Sequence, residues 1–120
     1  MAYDIGPRIG IDGEAEFRKQ LNNINTSLRT LGTEMQKVVS EFAENANGQE
    51  ALIAKNQVLT SSIEKQREQL EASKKALAEA AEKYGENATE TLKWQQVGNR
   101  SETELNKLEN ELKQNNTALD

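Results

Sequence analysis

The stretch FRKQLNNINTSLRTLGTEMQKVVSEF, residues 17–42, decides the fold. Its large apolar residues are Phe17, Leu21, Ile24, Leu28, Leu31, Met35, Val38 and Phe42, at spacings of 4, 3, 4, 3, 4, 3, 4. A repeat that averages 3.5 residues keeps one apolar seam on one side of a helix, with Leu21, Leu28, Met35 and Phe42 at the a positions and Phe17, Ile24, Leu31 and Val38 at d. Upstream, Asp12-Gly13-Glu14-Ala15-Glu16 supplies a start: Asp12 or Gly13 can cap, and the two glutamates suit the positive end of the helix dipole. Downstream, Asn45-Ala46-Asn47-Gly48 is a stop, with Gly48 able to adopt the left-handed conformation that closes a helix. The pattern predicts helix 1 over 13–47.

Two further seams follow. Leu52, Leu59, Ile63, Leu70, Leu77, Ala80 and Tyr84 define helix 2 over 50–84, interrupted by the polar positions Asn56, Gln66 and Ser73 and closed by Lys83-Tyr84-Gly85. Asn87, with Glu90 three residues on, resembles a capping box and opens helix 3 over 87–119, whose seam runs through Trp94, Gly98 and Ser101 to Leu105, Leu108, Leu112 and Leu119. All three seams share one phase, every a position from 21 to 119 being a multiple of seven. Of the 24 large apolar residues from Phe17 onward 19 lie at a or d, where a random arrangement would place about seven, two-sevenths of them. The expected class is all-α: long heptad-patterned helices in a coiled coil or helical bundle, with segments that stack or fold back preferred over one rod running through Gly48 and Gly85.

Flanking e and g positions carry no attractive pairs of the kind that specify a parallel dimer; Glu34 faces Val39, Lys83 faces Ala88 and Glu104 faces Glu109. Val39, Ala46, Ile53, Ala76, Ala81, Ala88 and Val97 widen the stripe, which suits three or more helices around one core, from one chain or several. Asn56, Gln66, Ser73 and Asn115 either fix register or mark weak stretches.

Residues 1–12 differ in kind. In Tyr3-Asp4-Ile5-Gly6-Pro7-Arg8-Ile9-Gly10-Ile11 every large apolar residue is odd-numbered, the period of an extended segment with one apolar face. A lone strand does not persist in water, so this one pairs with something outside the chain, docks on the helices, or stays flexible.

Composition narrows function. The 120 residues include no cysteine and no histidine, and 20 acidic against 15 basic side chains give a net charge of −5. That removes thiol nucleophiles, imidazole bases, disulfides and the usual zinc or haem ligands, and gives no footprint for nucleic acid. The carboxylate pairs Glu41/Glu44, Glu79/Glu82 and Glu109/Glu111 read as solvated faces, and Asp12-Gly13 lacks the alternating oxygen ligands of a calcium loop. No enzyme activity, cofactor or metal is expected. The longest apolar run, Ala51-Leu52-Ile53-Ala54, is far below the roughly 20 residues that span a bilayer, and no signal peptide is present, so a cytoplasmic protein is expected.

The chain resembles the N-terminal region of tail tape measure proteins of phages and prophages of Gram-positive bacteria. The residues that carry the likeness are Ile9-Gly10-Ile11-Asp12-Gly13-Glu14-Ala15-Glu16-Phe17, the Leu21/Ile24/Leu28/Leu31 heptads, the turn Lys83-Tyr84-Gly85-Glu86-Asn87-Ala88-Thr89-Glu90-Thr91, Trp94-Gln95, and residues 105–112. The resemblance implies a structural role in virion assembly, as a helical ruler threaded through the tail tube. It also implies oligomers of three or more copies, tail tube, tail tip and assembly chaperone proteins as partners, and a path from the host cytoplasm into the virion tail. Tape measure proteins run to many hundreds of residues, so this chain would correspond to an N-terminal part or a truncated relative. The competing expectation is a general coiled-coil adaptor whose N-terminal strand adds to a partner's sheet.

Overall fold

The computed structural model describes residues 13–119. They form an all-α bundle of three long helices: α1 (Glu14–Glu41), α2 (Gln49–Tyr84) and α3 (Thr89–Leu119), with one 3-10 turn at Ala43–Asn45. No strand occurs among the described residues; the extended segment expected over 1–12 lies outside them.

The helices fold back on one another. An unbroken helix of this length would extend about 160 Å at 1.5 Å per residue, whereas the molecule measures 61 × 21 × 16 Å. Cross-helix bonds give the direction: Asn56 Nδ2 donates to Asn116 Oδ1 at 2.8 Å and Arg67 pairs with Glu109 at 2.9 Å, so α3 falls in number as α2 rises. Phe17 and Leu21 of α1 pack by Ala76 and Ala80 of α2, Asn25 Oδ1 accepts from Gln69 Nε2 at 3.0 Å, and Leu31 and Met35 lie beside Val58 and Leu59, so α1 runs antiparallel to α2. The common heptad phase thus survives two reversals, each of which resets the helix axis.

The turns explain themselves locally. Gly13 stands at φ 79° before α1, where its carbonyl accepts the first helical bond, from Phe17 N–H at 2.9 Å. α1 ends at Glu41, earlier than the pattern suggests, because Phe42 leaves helical geometry and a 3-10 turn takes over. Gly48 does not adopt the left-handed conformation expected of a helix stop. At φ −70° and ψ 159° it is extended, and it caps the start of α2, accepting from Leu52 N–H at 3.0 Å. The second reversal does use a positive φ: Gly85 lies at φ 99°, ψ 156°, a region open in practice only to glycine. Ala88 N–H then closes on Gly85 O at 3.3 Å, which moves the start of α3 to Thr89 and puts Ala88 in the position expected of Asn87, its carbonyl accepting from Leu92 N–H at 2.9 Å.

α2 is the central helix. It packs along both neighbours, while α1 and α3 scarcely approach each other. Accordingly α2 holds most of the buried side chains, and α1, with the most regular seam in the sequence, buries only Ile24.

Candidate functional site

Among the 19 seam residues, Ile24, Leu52, Leu59, Ile63, Trp94 and Leu105 are buried and the other thirteen half-buried; none is exposed. The structure draws some of them together at one end of the bundle. Ala76, Ala80 and Trp94 form a buried cluster there, with Phe17, Leu21, Leu77, Tyr84 and Val97 packed around it.

Small side chains make this cluster possible. Ala72, Ser73, Ala76 and Ala80 follow one another at helical spacing on α2 and are 3 % exposed or less. They leave the space that Trp94 fills, itself 4 % exposed, and they let the α3 backbone come near. At Gly98 the approach is close: a Cβ there would lie 3.3 Å from Ser73 Oγ. The Trp94 ring meets the edge of Phe17, centroids 6.1 Å apart and planes at 68°, and the Arg18 guanidinium lies 5.5 Å from the Trp94 ring centre. Arg18 is held in turn by Glu14 at 3.0 Å. These contacts tie the start of α1 to α3.

Two hydroxyls complete this end. Thr91, 2 % exposed, donates through Oγ1 to Gly85 O at 2.7 Å and so fastens the turn to the first turn of α3. The Tyr84 hydroxyl has its pKa pushed above the ordinary tyrosine value by desolvation, with the carboxylates of Glu14 and Glu90 adding in the same sense. A buried apolar cluster closed by an aromatic pair holds the three helices rigidly at this end. Among the described residues no group of three or more acidic side chains is placed to hold a metal ion, and no helix is long and apolar enough to cross a membrane.

The polar seam positions differ in fate. Ser73 Oγ donates to Leu70 O at 2.8 Å, within its own helix. Asn56 donates across to Asn116, leaving its own Oδ1 without a partner. Gln66 is 7 % exposed and its Oε1 accepts nothing. Of the residues expected to widen the stripe, Ala76 is fully buried, but Val39 and Ile53 are 48 % and 45 % exposed. The widening occurs on the other flank of α2, at Ala51, Val58 and Ala72 with Ser62, none of which lies at a or d. The signal that could have found them is a second stripe of small residues on a single helix, the mark of a helix packed on two sides.

No protein-family model, no curated protein and no solved structure matches this chain. Fold and cluster define its class: an up-down-up three-helix bundle pinned at one end by an aromatic contact.

Proposed function

We propose that this chain is the helical N-terminal part of a tail tape measure protein, a non-enzymatic scaffold of phage tail assembly that helps to set tail length. One observation carries the reading. The stretches that resemble the family are far apart in the sequence, yet the last residue of the opening, Phe17, the turn residue Tyr84, and Trp94 gather in a single cluster. A heptad pattern common to every coiled coil gives no reason for those particular segments to meet, whereas a shared structural unit does. In this reading the bundle is a folded module near the start of the ruler. Its partners are tail tube, tail tip and chaperone proteins and further copies of itself, and it passes from the host cytoplasm into the tail of the virion.

The test is genetic. Tail tube and tail assembly genes beside the coding sequence are the expected finding, and a neighbourhood without tail genes overturns the proposal. In a phage that carries the gene, in-frame deletion of residues 13–119 should give missing or abnormal tails by electron microscopy. Tails of normal form and length would contradict the assignment.

A further inference from the structure

Nine of the twelve asparagines stand inside the long helices, three in α1, one in α2 and five in α3. There ψ is held at about −42°, and the N–H that follows each asparagine is bonded to the carbonyl four residues back. Neither condition lets that nitrogen swing onto the asparagine side chain. Asn45, Asn47 and Asn87 lie outside the long helices. Asn45 and Asn87 precede alanines, whereas Asn47 precedes Gly48, the single Asn-Gly step of the chain.

The α1–α2 reversal leaves this step open. Asn45 and Asn47 are exposed, and Ala46 and Gly48 are half-buried. Gly48 is extended, at φ −70° and ψ 159°, and has no Cβ to crowd an approach to its nitrogen. Its N–H donates to Asn45 O at 3.0 Å, across a turn with no buried residue, the kind of bond that opens locally at little cost. The surrounding charge favours a carboxylate here. Lys55 Nζ donates at 3.2 Å to Ala46 O, the carbonyl joined to the Asn47 nitrogen. In addition, α2 begins at Gln49, with the positive end of its dipole toward the turn.

We propose that Asn47 is a site of spontaneous modification in the folded chain, converted by attack of Gly48, through a cyclic imide, to aspartate and isoaspartate. The Gly48 nitrogen gives its proton to a base in the solvent and bonds to Asn47 Cγ. The Cγ–Nδ2 bond breaks, and the amide nitrogen leaves as ammonia with a proton taken from solvent. Water then opens the five-membered ring. Hydrolysis at Cγ restores the main chain with an aspartate side chain, and hydrolysis at the α-carbonyl leaves the main chain running through Cβ and Cγ. The sequence is redox-neutral and consumes only water. Either product adds one negative charge to the net −5. Isoaspartate also lengthens the main chain by a methylene at the reversal that positions α1, a helix whose only buried residue is Ile24. The conversion accumulates with time, so this turn records the age of the molecule. The inference does not depend on the tail-scaffold assignment.

Timed incubation of the full 120-residue chain tests this, in mildly alkaline buffer at physiological temperature, with the fold checked by circular dichroism. Peptide masses should show a gain of about 1 Da, the change from amide to acid, at Asn47 before any other asparagine. Fragmentation separates Asn47 from Asn45, and methylation by a protein isoaspartate methyltransferase detects the isoaspartate. Asn47→Asp supplies the aspartate product as a standard. Gly48→Ala, whose methyl group crowds the attacking nitrogen while its backbone angles suit any residue, should react at least about tenfold more slowly, a barrier about 1.4 kcal/mol higher. A parallel incubation in urea gives the rate without the fold. Conversion of Asn47 in urea but not in the folded chain means that the turn protects it and overturns the proposal. Equal rates for the parent and Gly48→Ala, or a helical asparagine that changes first, overturn it as well.

Discussion

Gly98 of α3 lies against Ser73 of α2 so closely that a Cβ on the glycine would stand 3.3 Å from the serine Oγ. Alanine at 98 gains about 1 kcal/mol of helix propensity but must displace Ser73, so Gly98→Ala should change stability by less than about 1 kcal/mol in either direction. Gly98→Leu has no room and should cost about 1–3 kcal/mol. Combined with Ser73→Ala, which removes the obstructing oxygen, Gly98→Ala should become stabilising. Urea unfolding followed by circular dichroism measures all four chains. An indifferent Gly98→Leu would show that α2 and α3 do not come together there.

The aromatic end of the bundle makes a second quantity accessible. Trp94→Ala removes the largest buried side chain of the cluster and should cost about 3–5 kcal/mol. Phe17 and Trp94 should show a coupling of about 0.5–1.5 kcal/mol in a double-mutant cycle, the worth of an edge-to-face pair beyond its buried area. Arg18→Ala, which removes an exposed cation from the Trp94 ring, should cost only about 0.5–1 kcal/mol. Zero coupling between Phe17 and Trp94 would mean that the start of α1 is not docked on α3.

Two glycines that look alike in sequence should respond oppositely to the same change. Gly85, at φ 99°, has a conformation that a side chain strains, and Gly85→Ala should cost about 1–3 kcal/mol. Gly48, at φ −70°, already has a backbone that any residue adopts, and the atoms nearest to a Cβ there belong to the movable side-chain amide of Asn45. Gly48→Ala should therefore stay within about 1 kcal/mol of the parent. Thermal melts of the two variants give the comparison directly, and equal losses would contradict the turn geometry.

That contrast also shows how far the sequence could be read. The seams were legible because 3.5-residue spacing has a direct geometric consequence, and each of the 19 seam residues is at least partly covered. The breaks at Gly48 and Gly85 were legible from their glycines and the Asn87 capping signal, but whether the segments stack end to end or fold back was not, because both arrangements leave the heptad phase undisturbed. The central place of α2 was hidden for a different reason. Its second packing stripe is built from Ala51, Ser62, Ala72 and Ala76 with Val58, and small residues announce burial poorly. Conversely Val39, Ile53 and Leu92, at 48 %, 45 % and 44 % exposure, are large apolar residues outside the seam, and hydrophobicity alone could not tell them from Val58 at 8 %. The aromatic cluster was half visible, as Phe17, Tyr84 and Trp94 on seam positions, but their meeting depends on the two reversals.

Tyr84 offers a pH-dependent readout. Desolvation and the nearby Glu14 and Glu90 carboxylates raise its pKa in the fold, so the neutral phenol is favoured there over the unfolded chain. The stabilisation is therefore complete below the unfolded value of about 10 and is lost as pH climbs through the folded value. In a Tyr3→Phe background the remaining phenol can be followed by phenolate absorbance, and its midpoint should lie above 10, falling toward that value when Glu14 and Glu90 are both replaced by Gln. Tyr84→Phe should flatten the part of the alkaline loss of stability that comes from this residue. A midpoint at or below the ordinary tyrosine value would exclude the proposed surroundings of the hydroxyl.

The last prediction separates the folded-back bundle from a uniform coiled coil. In a continuous heptad rod, Leu59 at d and Leu70 at a would both face the seam and truncation of either should cost a similar amount. In the bundle Leu59 is 2 % exposed between helices, while Leu70 is half-buried beside the surface residues Arg67, Glu71 and Lys74. Leu59→Ala should accordingly lose about 2–5 kcal/mol, the cost of deleting a buried leucine with little room to collapse, and Leu70→Ala less than half as much. Ile53→Ser, at a 45 % exposed position, should change stability by about 0.5 kcal/mol or less. Denaturant midpoints at constant slope give the three values. Equal losses at Leu59 and Leu70 would favour the rod, because only a core with one central helix makes neighbouring seam leucines so unequal.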